Sequence, residues 1–348
     1  MKLSDFDFEY PEDLIATVPL EDRSASKMMV LDRGTRTVKH SFVRTLPDFL
    51  KSGDLLIFND TRVFPARLLG KKDTGGKIDI LLLKRVSIEP CVFQCITDQT
   101  AKLKTGAKLL FENDLTAKVV GRQGDSLLVE INDPCLIEAV GHVPIPPYIR
   151  SKRAKAGSED LILDRSRYQT IFAKTGGSSA APTAGLHFTE NLLADLRKKG
   201  VDTAAVTLHV GLDTFSPVRV DKITDHKMHG EEYIIPEETA EKIDRTKKRG
   251  GKVVAVGTTS VRALESYFQS KGSADASKEA HSRTEMFIYP GYKFGIVDAI
   301  LTNFHQPKST LIMMVSAFAG KDFIFDSYRE AIKERYRLFS YGDCMLIL

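Results

Sequence analysis

Ile78-Asp-Ile-Leu-Leu-Leu83, Val92-Phe-Gln-Cys-Ile96, Lys108-Leu-Leu-Phe111, Thr116-Ala-Lys-Val-Val120 and Leu127-Leu-Val-Glu-Ile131 follow one another within about fifty residues, separated by Gly, Asn and Asp turn signals. Short β-type runs at such spacing predict a small barrel or sandwich. Outward from this block the rhythm changes. Before it come a strand at Lys27–Asp32, a turn at Arg33-Gly34, a strand at Thr37–Phe42, a helix near Arg44–Leu50 and a strand at Asp54–Phe58. After it, Val143-Pro-Ile-Pro-Pro-Tyr-Ile-Arg150 cannot be helix on this reading, since its three prolines remove donors and fix extended geometry, and the polar stretch that follows reads as a linker or mobile loop. Beyond Arg167 helix alternates with strand. Helices are expected at Thr189–Lys199, Glu237–Arg249, Val261–Ser270, from Ser309, and at Asp326–Arg337. Strands are expected at Ala204–Val210, Lys252–Val256, Glu285–Tyr289 and Val297–Leu301. The expectation is a mixed α/β main domain formed by both chain ends, residues 1–68 and 152–348, with a small all-β barrel domain inserted at 69–151.

A chain of 348 residues with 42% hydrophobic and 28% charged side chains is neither disordered nor fibrous, and is long enough for about two domains. The most apolar run, Leu311 to Gly320, falls short of the ~20 residues of a membrane span. The acidic start lacks the basic and apolar regions of a secretion signal, so a cytoplasmic protein is expected. Cys91, Cys95, Cys135 and Cys344 have no C-x-x-C spacing and read as reduced structural thiols. The net charge of +4 is concentrated: residues 69–155 hold 14 Lys and Arg against 10 Asp and Glu, and the rest of the chain is balanced. Taken by itself, that excess describes a solvated surface better than a nucleic-acid module.

Chemistry is suggested in several places. The small residues of Gly176-Gly-Ser-Ser-Ala-Ala-Pro-Thr-Ala-Gly-Leu-His-Phe188 let backbone approach a ligand, and the helix start just after them favours negative charge and a neutral His187. Val253-Val-Ala-Val-Gly-Thr-Thr-Ser-Val-Arg-Ala-Leu-Glu265 reads as strand, polar turn and helix, an anion-binding geometry without a Walker or dinucleotide fingerprint. Within it Arg262 and Glu265 are spaced for a surface ion pair. His187, His209, His226 and His229 fall within 43 residues. A zinc or iron site, metal-free acid/base work and satisfied structural histidines are the three readings of that density. Asn59-Asp-Thr-Arg62, Asn303-Phe-His305 and Ser340-Tyr-Gly-Asp343 are turn-like polar clusters at strand ends.

Eight motifs in one order carry a resemblance: Asn59-Asp-Thr-Arg-Val-Phe-Pro-Ala-Arg67, Ala180-Ala-Pro-Thr-Ala-Gly-Leu-His-Phe188, Thr207-Leu-His-Val-Gly211, His226-Lys-Met-His229, Ala255-Val-Gly-Thr-Thr259, Phe287-Ile-Tyr-Pro-Gly291, Thr302-Asn-Phe-His305 and Tyr336-Arg-Leu-Phe-Ser-Tyr-Gly-Asp343. Together they resemble the S-adenosylmethionine:tRNA ribosyltransferase-isomerases of queuosine biosynthesis. The resemblance implies an α/β domain with an inserted barrel. It also implies transfer of the ribosyl part of S-adenosylmethionine to 7-aminomethyl-7-deazaguanine at the tRNA wobble position. Adenine and methionine are then released, and no metal or resident cofactor takes part. It favours metal-free histidines and a tRNA surface on the basic insert. Apart from the resemblance, a monomer without membrane contact is the working expectation.

Carried onto this sequence, the resemblance makes His187 or His229 the base. Asp60 or Glu232 would handle a proton on adenine or on the tRNA amine. Arg262 with the Gly257-Thr258-Thr259 turn would hold the methionine carboxylate, and Asn59, Arg62, Asn303 and His305 would orient ribose or the modified base. Pro182, Thr183, Ala184, Gly185, His209 and Thr214 complete the expected binding set. Ser179, Asp213 and Ser216 depart from the family pattern, as does the lack of tryptophan. A metal hydrolase and an inert RNA-binding protein are the competing classes; a metal assay and product release separate them.

Overall fold

Leu55-Leu-Ile-Phe-Asn59 is buried at every position, as a strand must be when both faces of its sheet are covered. Around it the computed structural model, which describes residues 1–158, 161–211, 218–271 and 280–348, builds an α/β domain and a barrel. The strands are β1 (Lys27–Asp32), β2 (Thr37–Phe42), β3 (Leu55–Asn59), β4 (Thr61–Val63), β5 (Arg67–Lys72), β6 (Lys77–Ser87), β7 (Val92–Ile96), β8 (Lys108–Leu110), β9 (Thr116–Gln123), β10 (Ser126–Ile131), β11 (Thr175–Ser178), β12 (Asp202–Leu208), β13 (Glu231–Ile235), β14 (Val253–Val256), β15 (Ala280–Thr284), β16 (Ala299–Asn303) and β17 (Cys344–Ile347). The helices are α1 (Ile137–Val140), α2 (Pro147–Lys155), α3 (Leu161–Arg167), α4 (Glu190–Lys198), α5 (Glu237–Lys248), α6 (Thr258–Lys271), α7 (Thr310–Ala319) and α8 (Lys321–Lys333).

Among the described residues nine strands form one sheet in the order β15-β13-β12-β3-β14-β16-β17-β1-β2. Its centre, β12-β3-β14-β16, is parallel. β17 runs antiparallel to β16 and parallel to β1, so the two chain ends share the sheet. On one face Ile57, Ala255 and Ile300 pack with Leu264 of α6, Ile312 of α7 and Ile324 of α8. On the other, Leu56, Val254 and Leu301 meet Leu192 and Leu196 of α4 and Leu46. β10-β7-β6-β5-β8-β9 close into a barrel filled by residues such as Leu68, Ile80, Leu82, Leu109, Val119 and Leu127. A backbone pair between Arg67 and His142 ties its neck. The mixed α/β fold with an inserted barrel is therefore present.

Several expectations need correction. The stretch after the prolines is no linker: α2 starts at Pro147 and continues to Lys155. Proline at a first helical position lacks only an N–H that would find no partner there, so the prolines stop a helix before Pro147 and permit one after it. Arg153, in the presumed linker, is buried; its guanidinium meets Asp164 at 2.6 Å and the Thr17 carbonyl at 2.6 Å. Lys152 donates to the carbonyls of Glu12 and Ile15. Much of the expected charge excess therefore fastens α2 to the α/β domain, because residues 69–151 alone hold 11 cations against 10 anions.

Pro47 sits inside a 3-10 helix, Val43–Phe49, where an α-helix was expected. No strand forms at Glu285–Tyr289; the edge strand is β15, just before it. α6 and α8 begin three and five residues earlier than expected, at Thr258 and Lys321. β5 begins at Arg67, two residues before the expected start of the insert. Arg153→Met leaves Asp164 charged and unpaired in the interior, and should cost about 3–5 kcal/mol of stability by chemical denaturation. A loss below about 1 kcal/mol would show that the pair does not anchor α2.

Candidate active site

β3, β12, β14 and β16 end on the same edge of the sheet, the edge where open α/β sheets bind ligands. Antiparallel β17 brings the residues before it to that edge as well, since Cys344 pairs with Asn303. The turns enclose a cavity of about 300 Å³, at the small end of the range for small-molecule sites. Pro182, Thr183 and Ala184 line it after β11, Gly257, Thr258 and Thr259 after β14, and Asn303 and His305 after β16. Gly257 has φ 87°, a left-handed conformation that glycine adopts without strain, and it turns the chain into α6.

The best-defined polar group is the Asn303 amide. Its Nδ2 donates to the Phe339 carbonyl at 3.2 Å and meets His187 Nε2 at 3.2 Å, while Oδ1 accepts from Thr183 Oγ1 at 3.3 Å. A carbonyl can only accept, so Phe339 fixes the amide orientation and the His187 nitrogen must be the unprotonated one. The other ring nitrogen engages the Arg23 backbone carbonyl. Burial first, then the Arg337 and Arg23 guanidiniums, push the His187 pKa down to about 4. His187 is thus neutral, has both nitrogens engaged, and lies outside the cavity lining.

His305 does line the cavity, with Nε2 3.1 Å from Thr302 Oγ1, and burial lowers its pKa to about 3. Tyr148, in the segment expected to be extended and proline-rich, also lines the cavity. Its hydroxyl donates to Ser340 Oγ and accepts the Ser340 N–H at 2.9 Å, and burial raises its pKa to about 12. The aromatic after the Pro-Ile-Pro-Pro run was the signal that could have marked it.

A family model described as "Queuosine biosynthesis protein" matches residues 3–347. Proteins named S-adenosylmethionine:tRNA ribosyltransferase-isomerase from Thermotoga maritima, Clostridioides difficile and Citrifermentans bemidjiense are 47%, 46% and 49% identical, over 100% of this chain and 100% of theirs. The chain belongs to the queuosine biosynthesis family. A solved structure, of the S-adenosylmethionine tRNA ribosyltransferase from Thermotoga maritima, matches with TM-score 0.57 and 38% identity, covering 99% of this chain and 100% of that one. The family resemblance carried by the eight motifs thus extends along the whole chain.

The other expected residues of this family member fall into distinct places. Asp60 and His209 form a second polar group, on the β3 and β12 turns. Asp60 accepts from Thr207 Oγ1 at 2.6 Å, and its pKa is raised by burial. His209 Nδ1 lies 2.9 Å from Thr61 Oγ1; burial lowers its pKa, opposed by Glu232 and Asp60. Glu232 is an exposed residue of β13, and His229 is exposed on the loop before it. Asn59 is a splint between strands, its amide bonded to both the N–H and the carbonyl of Leu208. Arg62 is half-exposed and faces Glu138 at 3.8 Å. Gly185 is buried against Thr170. Thr214, Asp213 and Ser216 lie outside the described residues.

Arg262 does not make the surface pair that its spacing from Glu265 allows. It is buried and bonded to Glu231, whereas Glu265 accepts the N–H groups of Gly295, Ile296 and Val297. Among the described residues no group of three His, Cys, Asp or Glu is placed to hold a metal.

If His187 positions Asn303, His187→Gln should keep turnover within about tenfold, since an amide can accept from Asn303 and donate to Arg23. His187→Ala leaves the Asn303 N–H unpaired and should cost roughly 1–3 kcal/mol in kcat/KM. Losses of ~10²–10⁴ in both variants would make the imidazole a proton carrier instead. Stability carries a pH signature too. The folded pKa values of about 4 and about 3 for His187 and His305 lie below the ~6.5 of an unfolded histidine. Their stabilisation is complete above about pH 6.5 and is lost as pH falls through the folded values, at up to about 1.4 kcal/mol per pH unit per imidazole. Asp60 and Asp343, raised by burial, act with the opposite sign at the acid end of that window. Denaturation at pH 7 and pH 5 should show a smaller difference for His187→Gln than for the parent chain.

Proposed function

We propose that this chain transfers and isomerises the ribosyl moiety of S-adenosylmethionine onto 7-aminomethyl-7-deazaguanine at the wobble position of a tRNA anticodon. The products are epoxyqueuosine-tRNA, adenine and methionine. One observation carries the reading: the Ala180–Phe188, Ala255–Thr259 and Thr302–His305 motifs, far apart in sequence, meet around one 300 Å³ cavity in a chain aligned end to end with proteins named S-adenosylmethionine:tRNA ribosyltransferase-isomerase. S-adenosylmethionine is a consumed co-substrate in this reading, and neither metal nor resident cofactor is required. The acting unit is taken as a cytoplasmic monomer; among the described residues no helix is long and apolar enough to cross a membrane.

The sulfonium acidifies the neighbouring C–H and provides a leaving group, so the protein must accept one proton, supply one to departing adenine, and hold the partners in line. His305 is the imidazole that lines the cavity; burial holds its pKa at about 3, so it orients substrate and does not take the proton. His229, beside the Met228 that lines an adjoining recess, is the base. His187 takes a positioning role, leaving Asn303 Oδ1 as an acceptor toward a sugar hydroxyl or base N–H. Asp60, His209 and Glu232 form the proton-handling group for the incoming aminomethyl base. Burial holds the Asp60 carboxyl toward the neutral form, which suits a group that exchanges a proton with an amine.

For tRNA the barrel offers the β8–β9 face. Lys102, Lys104, Lys108 and Lys118 are exposed there, and Lys108 stands directly opposite Lys118 in the strand pair. Like charges in that position destabilise a sheet, which suits a surface that meets phosphates. Chromatography should detect adenine released from S-adenosylmethionine only when tRNA bearing the aminomethyl base is present, and the release should persist after prolonged chelation. No adenine under any condition would overturn the reading; activity lost on chelation and restored by one metal would overturn its metal-free part. Neutralising Lys102, Lys104 and Lys108 together should flatten the slope of log K for tRNA against log salt by roughly 0.7 to 0.9 for each phosphate that these lysines engage. An unchanged slope would remove this face from the interface.

A further inference from the structure

The loop before β17 passes the cavity in a strained conformation. Phe339 has φ 70°, in the left-handed region that a bulky side chain rarely enters. Its ring meets Tyr10 and Tyr148 edge to face, with centroids 5.1 and 5.3 Å away, so packing holds the conformation in place. Strained backbone of this kind clusters at functional sites. The turn it creates presents the Phe339 carbonyl to Asn303, and both the N–H and the hydroxyl of Ser340 to Tyr148.

Ser340 is left with a free proton. The Tyr148 phenol, the stronger acid of the two hydroxyls, donates to Ser340 Oγ and accepts the Ser340 N–H, so among the described residues the serine proton has no acceptor. Other hydroxyls of the lining are already paired: Thr183 donates to Asn303 Oδ1, Ser309 to the Gln306 carbonyl, and Thr302 Oγ1 lies 3.1 Å from His305 Nε2. Ser340 is 8% exposed and lines the cavity, so its acceptor arrives with a ligand. The phenol behind it also polarises the serine hydroxyl, which makes it a stronger donor than an isolated serine.

The charges around the cavity indicate what such a donor meets. Among the described residues the lining holds no carboxylic acid; His305 is neutral, Lys308 pairs with Asp7 at 2.6 Å, and a pKa of about 12 keeps the Tyr148 phenol protonated. A base that leaves ribose takes the C–N electron pair with it, so negative charge gathers on its ring nitrogens with no charged acid beside them. A neutral hydroxyl aimed at that charge lowers the barrier to departure.

We infer that Ser340 is a catalytic residue of the transfer, hydrogen-bonded to adenine as it departs, and that Tyr148 is the positioning residue that aims it. The inference rests on the proposed function. The C–N bond breaks with both electrons on adenine, the Ser340 hydrogen bond stabilises that charge without giving up its proton, and the departing base takes one proton from water.

The test is single-turnover release of adenine from S-adenosylmethionine by the full chain with saturating tRNA bearing the aminomethyl base, set beside calorimetric binding of S-adenosylmethionine. Ser340→Ala should slow release roughly a hundredfold and leave affinity within about threefold, because the hydrogen bond strengthens only as charge develops. Ser340→Thr keeps a hydroxyl and should recover at least about tenfold of that loss. Tyr148→Phe keeps the ring against Phe339 and should slow release roughly tenfold; added to Ser340→Ala it should slow release no further, since Tyr148 acts through Ser340. Release within about threefold of the parent chain for Ser340→Ala, or a loss confined to affinity, overturns the catalytic role. Multiplying losses in the double variant overturn the positioning role. If Ser340→Ala does not fold, Tyr148→Phe decides, and release within about twofold of the parent chain overturns the pair. A parent chain that releases no adenine overturns the functional reading instead.

Discussion

β17 is the seam on which this molecule depends. Its four buried residues pair with β16 on one side and β1 on the other, so the last strand of the chain joins the N-terminal hairpin to the parallel sheet. The loop entering it is held by Asp343, whose carboxylate accepts the backbone N–H of Lys27 at 2.9 Å and of Arg337 at 2.7 Å. Asn303, at the end of β16, donates to the Phe339 carbonyl of that same loop. A hydrogen-bond network that begins as sheet register therefore ends as the orientation of a cavity amide. Fold and site are coupled at this point: Phe339 cannot move without releasing the amide that His187 also holds.

The barrel and the α/β alternation were legible because they rest on local periodicity. Thr189 and Ser309 cap their helices as read, each accepting a backbone N–H from three residues on. The misses follow from nonlocal pairing. Cys344–Ile347 is a strand because β1 and β16 flank it; its short apolar run is by itself equally consistent with a buried piece of helix. Among the described residues β4 and β11 are short segments that pair with each other alone, more than a hundred residues apart. Three prolines in four residues read as one helix-breaking signal, yet Pro147 stands at the position where a helix tolerates proline.

At the site, residue type was legible and partnership was not. Pro182, Thr183, Ala184, Gly257, Thr258, Thr259, Asn303 and His305 were all singled out from sequence, and all line the main cavity. Arg262 and Glu265, three apart on one helix, looked like partners, yet packing sends one to Glu231 and the other to the 295–297 backbone. Histidine density proved a poor guide to geometry. His187, His209 and His229 lie within 43 residues yet occupy a buried support, a strand-end polar group and an exposed loop. Strands that are adjacent in sequence need not be adjacent in the sheet, so sequence spacing does not measure distance along this edge.

The point of insertion sets the barrel beside the ligand-binding edge of the sheet. The chain leaves the central sheet at β3, on the ligand-binding edge, and passes through β4 into the barrel. It returns through α2 and α3 to β11, which pairs with β4 beside that edge. Had the barrel been inserted at the opposite ends of the strands, its surface would stand a full strand length from the cavity, about 17 Å for five residues. Instead Tyr148, one residue into the helix that follows the barrel, is itself part of the cavity wall and is hydrogen-bonded to Ser340 in the loop before β17. The barrel's exit, the cavity and the seam strand thus meet within one hydrogen bond. The exit of the barrel therefore lies beside the turns that line the cavity.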